Sequence, residues 1–250
     1  MNELLRRVLD APDDDGARLV YADWLQERAD PRGELIILQL KKRTAPLSLD
    51  EAEREAALIE AHADAWQGRL GSITQFVEFE GGFLHGCSLR EVPVWASRQP
   101  EWRTVRHLGV QRDARFLGAL LESEMLSRLT SLRISDECVG PVVEHAPDGL
   151  KTLVIDGSRF DVAALFASAR LANVTHVELR EVRQKLVFER DTGARWKLHV
   201  SLKPSPWAHE KKYVSKALSA LPPALLSELT VTPAERLSQV KKVVGAALGR

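Results

Sequence analysis

Apolar positions follow two rhythms along the chain. Over residues 1–70 they recur three and four apart, the spacing of one face of a helix. A short amphipathic helix is expected over 3–9, stopped by Ala11-Pro12. Asp13, Asp14 and Asp15 then precede a stretch carrying Leu19, Val20, Trp24 and Leu25. Aspartate oxygens accept hydrogen bonds from the free N–H groups of a helix start and favour its positive end, so this triplet reads as capping rather than as a cation site. Asp30-Pro31 reads as the N-cap and first-turn proline of a third helix, 32 to about 42, with Leu35, Ile36, Leu38 and Leu40. Leu47-Ser48 opens a fourth, from 49 to about 66, rich in Ala and Glu.

Beyond residue 70 the rhythm becomes apolar-x-x-apolar-x-apolar, and it recurs at 84–89, 105–110, 129–134, 150–155, 174–179, 195–200 and 226–231. Arg195 breaks one first position, and Cys87 fills one middle position. The middle residues are Cys87, Leu108, Leu132, Leu153, Val177, Leu198 and Leu229, spaced by 21, 24, 21, 24, 21 and 31. A period of 20–29 with this core is the mark of leucine-rich repeats, in which each turn of a solenoid contributes one short strand. Alternation along such a strand turns two apolar residues inward and three flanking residues outward. Helices are expected between strands at 113–126, 160–171 and 209–221, which favours parallel strands. The asparagine usual after the strand is absent; Asp113, Glu137, Ser158 and Val182 stand there, so the repeats are irregular.

Two hairpins interrupt the scheme. One joins 75–80 to 83–89 through Gly81-Gly82 and is expected to protect the opening edge. The other joins 185–190 to 194–202 through Asp191-Thr192-Gly193, in place of a helix. A helix over 234–248 is expected to close the far end. The fold class is therefore α/β: an N-terminal helical domain, 1–70, followed by an irregular leucine-rich-repeat-like solenoid, 71–250, with one parallel strand per repeat.

Residues 13–40 carry a dense motif: Arg18, Leu19, Tyr21, Ala22, Asp23, Trp24, Leu25, Glu27, Asp30, Arg32, Gly33, Glu34, Ile36, Leu38 and Gln39. This string resembles the bacterial repeat-companion domain, over about the first fifth of the chain. The resemblance implies a helical domain placed ahead of leucine-rich-repeat-like segments. That family has no established catalytic residues, so none is transferred. Read from the residues themselves, Tyr21, Trp24 and Leu25 share a helix face that packs on the next helix, while Asp23 and Glu27 share another.

The chain has 250 residues, 44% hydrophobic and 28% charged, with 35 basic and 35 acidic side chains. That balance gives no overall field toward nucleic acid or an anionic membrane. It hides a gradient: 10 basic against 17 acidic over 1–80, and 14 against 6 over 180–250. No apolar run is long enough to span a membrane, and the first residues lack the apolar core of a secretion signal. Two cysteines, Cys87 and Cys138, form neither a disulfide framework nor a zinc set, which points to a reducing, cytoplasmic setting. Cys87 is expected in the core by alternation.

No zinc-protease, Cys-x-x-Cys, phosphate-loop or nucleophile-elbow pattern occurs, and no cofactor, metal ligand or catalytic residue is assigned. The outward columns are small, polar and mixed in charge, the kind of sheet face with which repeat proteins bind partners. The expected function is noncatalytic binding of a protein, with Arg133, Asp156, His176, Glu178, Arg180 and His199 as polar contacts. The alternative is nucleic-acid binding through Arg183, Lys185, Arg190, Arg195, Lys197, Lys203, Lys211 and Lys212. Only Trp196 and Trp207 lie near these as stacking platforms, which weakens that alternative.

Overall fold

The computed structural model describes residues 2–111, 115–157, 159–181, 184–192, 195–203, 211, 214–215, 226–232 and 234–247. Among the described residues the fold is mixed α/β, with an open nine-stranded sheet whose strands follow chain order. The chain divides into two compact units, residues 1–108 with 123–129, and residues 109–122 with 130–250.

The first unit begins with four helices, each with a local reason to start. Asn2 caps α1, Glu3–Asp10, accepting from the Leu4 N–H. Of the aspartate triplet only Asp14 caps α2, Asp15–Gln26, accepting from Ala17 N at 3.1 Å. Asp13 and Asp15 instead form ion pairs, Asp13 with Arg106 and Arg128, and Asp15 with Arg43 and Arg18. Burial pulls the Asp13 carboxyl upward, but the two guanidinium groups outweigh it and hold it below the usual range. Asp30 caps α3, Pro31–Thr44, with Pro31 in its first turn. Ser48 and Glu51 form a reciprocal capping box on α4, Leu49–Trp66.

These helices bury Val8, Leu9, Ala17, Tyr21, Ala22, Leu25, Ile36 and Leu40 in one cluster, and Phe83 joins it from the strand β2. The helical unit therefore extends past residue 70 to take in the first hairpin, β1 (Thr74–Glu80) and β2 (Phe83–Leu89), paired antiparallel. Its turn residues Gly81 and Gly82 have φ of 57° and 77°, the left-handed backbone of a tight hairpin turn.

The motif of the second and third helices holds this turn. Arg32 Nε donates to the Gly82 carbonyl at 2.7 Å. Gln39 accepts from Gly82 N at 2.8 Å and donates to the Phe79 carbonyl at 3.0 Å and to Glu55 at 2.9 Å. The Arg18 guanidinium lies against Gly81, and a Cβ on Gly82 would come within 2.2 Å of Ile36. Gly33 lets α2 and α3 approach: a Cβ there would stand 2.7 Å from the Ala22 carbonyl oxygen. Tyr21 and Trp24 stack at 5.9 Å between centroids. Asp23 and Glu27 stay in solvent on another face.

At the division of the units lies β3, His107–Val110. The second unit continues with α5 (Leu117–Leu121), β4 (Ser131–Ser135), α6 (Val139–His145), β5 (Thr152–Asp156), α7 (Val162–Ala167) and β6 (His176–Glu181). The expected helix over 113–126 is shorter and ends in a separate 3-10 turn, Glu124–Leu126, which belongs to the first unit; Asp113 itself lies outside the described residues. The helix α6 has no counterpart among the expected helices; Pro141 falls in its first turn, where no N–H is needed. β4, β5 and β6 pair in parallel, with Leu132 opposite Leu153 opposite Val177, and Ile134 opposite Ile155 opposite Leu179. All six are buried, together with Leu117, Leu120, Val142 and Leu165 of the intervening helices.

The second hairpin, β7 (Gln184–Arg190) and β8 (Trp196–Leu202), departs from one parallel strand per repeat. β7 is antiparallel to both neighbours, so Phe188 stands between Val177 and Leu198, which do not stack directly. β8 pairs in parallel with β9, Leu226–Thr232, aligning Leu198 with Leu229. Leu229 is half-buried rather than buried, because β9 is the last strand and has one neighbour. A final helix, α8, spans Leu237–Ala247. Of the helix expected over 209–221 only 211, 214 and 215 are described, and they are helical; Ser158, Val182 and the turn residue Gly193 lie outside the described residues.

Leu153 has no exposed surface and sits at the centre of the parallel register. Leu153→Ala should lower unfolding free energy by about 2–5 kcal/mol, read by urea denaturation with an unchanged m-value.

Candidate functional site

The parallel register that buries Leu132, Leu153 and Val177 turns their neighbours to the opposite face of the sheet. Three cross-strand rows result. The first runs Ser131, Thr152, His176, Glu189, Lys197, Glu228. The second runs Arg133, Val154, Glu178, Val187, His199, Thr230, and the third Ser135, Asp156, Arg180, Lys185, Ser201, Thr232. All six residues expected as contacts lie on these rows, spread over β4, β5, β6 and β8.

They are not six equivalent free groups. Arg133 is exposed and clasps Asp156 through two bonds, Nε to Oδ2 at 2.7 Å and Nη2 to Oδ1 at 3.2 Å. His176 lies 3.9 Å from Glu178 and 3.6 Å from Glu189. His199 is exposed and shares a hydrogen bond of 2.7 Å with the Thr230 hydroxyl. Glu178, expected to face solvent, is only 5% exposed. Arg180 Nε donates to its Oε1 at 2.5 Å, and Lys185 Nζ lies 2.8 Å from the same oxygen. The two long side chains roof it, which is why an outward position is nevertheless buried. Burial pulls the Glu178 carboxyl upward; the bonds from Arg180 and Lys185 prevail and hold it below the usual range. Glu178 in turn raises the Arg180 guanidinium.

Beside this pair the face carries a groove of about 640 Å³, lined among others by Lys185, Glu189, Lys197, His199, Glu228 and Thr230. Lys185, Glu189 and Val187 come from β7, which the one-strand-per-repeat scheme left out of the face. The signal was present in the alternation of 185–190: the residues that share Lys185's parity must share the face of Lys197 and His199 once the hairpin pairs.

Among the described residues, several basic side chains of the alternative reading are already engaged. Lys185 pairs with Glu178, Arg195 with Asp191 at 3.6 Å, and Lys197 with Glu228 at 3.2 Å. Arg190 donates to the Ala172 carbonyl and lies over Trp196, 4.7 Å from its centroid. Lys211 is exposed, Lys203 follows β8, and Arg183, Trp207 and Lys212 lie outside the described residues. Cys87 is buried, and burial pushes its thiol up to about 12, far from thiolate chemistry. Among the described residues no three His, Cys, Asp or Glu side chains gather as a metal site, and no helix is long and apolar enough to cross a membrane.

Comparison of the chain with protein-family models, with curated proteins and with solved structures returns no match.

A carboxyl whose pKa is lowered on folding contributes stability that is present above its unfolded value, 4.5, and lost as pH falls through the lower folded value. Glu178→Gln should therefore destabilise the chain at pH 7 and flatten the fall in melting temperature below pH 4.5. Thermal unfolding of both proteins across pH 3–7 checks this.

Proposed function

We propose that the chain is a noncatalytic protein-interaction module that holds its partner on the outer face of the sheet in its second unit. We further propose that residues 1–70 belong to a repeat-companion domain, and that the second unit is an irregular leucine-rich-repeat-like solenoid. The middle residues of the repeated pattern, paired in register across β4, β5 and β6, support the last reading.

The observation that carries the binding proposal is the polar groove on that face, bounded by charges that already cancel in pairs. The rows hold four cations, Arg133, Arg180, Lys185 and Lys197, and four carboxylates, Asp156, Glu178, Glu189 and Glu228. A phosphate backbone needs an excess of cations whose counterions it can displace. A mixed and balanced surface instead suits a protein, whose own charges meet both signs and fix orientation. Val154 and Val187, each 9% exposed, add an apolar strip along the middle row.

Affinity capture from extract of the native cells, followed by mass spectrometry, tests this. Arg133→Glu combined with His199→Glu changes two exposed groups without orphaning buried Glu178, which Arg180→Glu would do. This double variant should lose a partner at least tenfold while remaining folded, its melting temperature lowered only slightly by loss of the exposed Arg133–Asp156 pair. Lys211→Glu with Lys212→Glu should retain it. Recovery of nucleic acid instead, with affinity falling steeply in salt and lost in the lysine variant, would establish the alternative.

A further inference from the structure

Charge on the outer sheet face cancels over its rows as a whole but not at each end of the groove. At one end Arg180 and Lys185 share a single carboxylate. Arg180 Nε donates to Glu178 Oε1 at 2.5 Å, and Lys185 Nζ lies 2.8 Å from the same oxygen. The other carboxylate of that end, Asp156, is clasped by Arg133 through two bonds. Three cations thus meet two carboxylates, which leaves one positive charge in surplus. Lys185, its side chain 46% exposed, brings that surplus to the groove, with Ser201 opposite it on β8.

The other end has the reverse balance. Lys197 pairs with Glu228 at 3.2 Å. Glu189, its side chain 62% exposed, has only His176 within ion-pair distance among the described residues, at 3.6 Å, and His176 carries charge only when protonated. Two carboxylates thus meet one permanent cation, and a negative charge is in surplus.

Both poles belong to one strand. Lys185, Val187 and Glu189 share the outer face of β7, and all three line the groove of about 640 Å³. Val187, 9% exposed, is the apolar middle. At about 3.3 Å per residue, positions 185 and 189 stand about 13 Å apart. An extended segment laid along β7 matches this spacing, since its residues i, i+2 and i+4 face one way and span the same length. A helix does not, because at about 1.5 Å per residue its positions i and i+4 are only about 6 Å apart along the axis.

We propose that the groove receives an extended segment of the partner protein in which an acidic and a basic residue, four positions apart, flank a small apolar one. The carboxylate meets Lys185 and Ser201, the apolar side chain covers Val187, and the ammonium or guanidinium meets Glu189. This proposal rests on the sheet-face reading and names the chemistry the partner brings to it. A segment of one sign is repelled at one end: two carboxylates place one against Glu189, and two cations place one against Lys185. The poles select the sign at each end and leave the direction of the segment along β7 open.

Fluorescence polarisation with the intact chain tests this, using three labelled, end-blocked heptapeptides. Each has valine at its centre and threonine elsewhere, except at the second and sixth positions. Those two positions carry glutamate and lysine, two glutamates, or two lysines. The mixed peptide should bind saturably and at least tenfold more tightly than either same-sign peptide. Glu189→Lys changes an exposed side chain and leaves the bonds to Glu178 in place; circular dichroism should show it folded. In that variant the two-glutamate peptide should become the tightest of the three. The proposal is overturned if the mixed peptide does not bind saturably, if it binds no more tightly than the same-sign peptides, or if Glu189→Lys leaves the order unchanged. The sheet-face reading fails separately, if Arg133→Glu with His199→Glu leaves capture of a protein partner intact.

Discussion

Because side chains alternate along a strand, the pairing register of β4, β5 and β6 decides which residues of the second unit meet water. Leu132 opposite Leu153 opposite Val177 is one alignment among several that backbone hydrogen bonds alone would allow. A slip of one residue in β5 would drive Thr152, Val154 and Asp156 toward the helices and expose Leu153 and Ile155. The apolar pairs therefore fix the register, and the register places Arg133 within reach of Asp156. The same constraint passes through the antiparallel hairpin, where Glu178, Val187 and His199 fall in one row. The composition of the outer face is thus a consequence of inner packing.

In the first unit, turn chemistry plays the corresponding part. Two glycines with positive φ form the tip of the first hairpin, and Arg18, Arg32, Ile36 and Gln39 of the helical motif close on it. Three polar motif residues, Arg18, Arg32 and Gln39, are spent in holding this turn. Gln39 alone makes three bonds to the hairpin and to Glu55.

Much of the fold was legible in the chain because its causes are local. Asp14, Asp30 and Ser48 cap the helices they precede, and the middle and last positions of the spaced apolar pattern all fall on strands. The misses share a cause: they depend on what a residue meets across space. Glu178 occupies an outward position, yet Arg180 and Lys185 cover it, and Lys185 comes from a strand that the repeat scheme did not count. The helix α6, with Gly140-Pro141 in its first turn, is not among the expected helices. Of the expected contact residues, all reach the sheet face, but half the groove beside them is built by β7 and β9.

The claim on which the functional account rests is that a protein partner lies on the outer sheet face, and site-specific photo-crosslinking in the native cells addresses it directly. A photoreactive side chain at Ser201, which lines the groove, is compared with one at Glu144, exposed on α6. The account predicts a discrete protein adduct from position 201 and none from position 144. An adduct formed equally from both positions, or from position 144 alone, would contradict it.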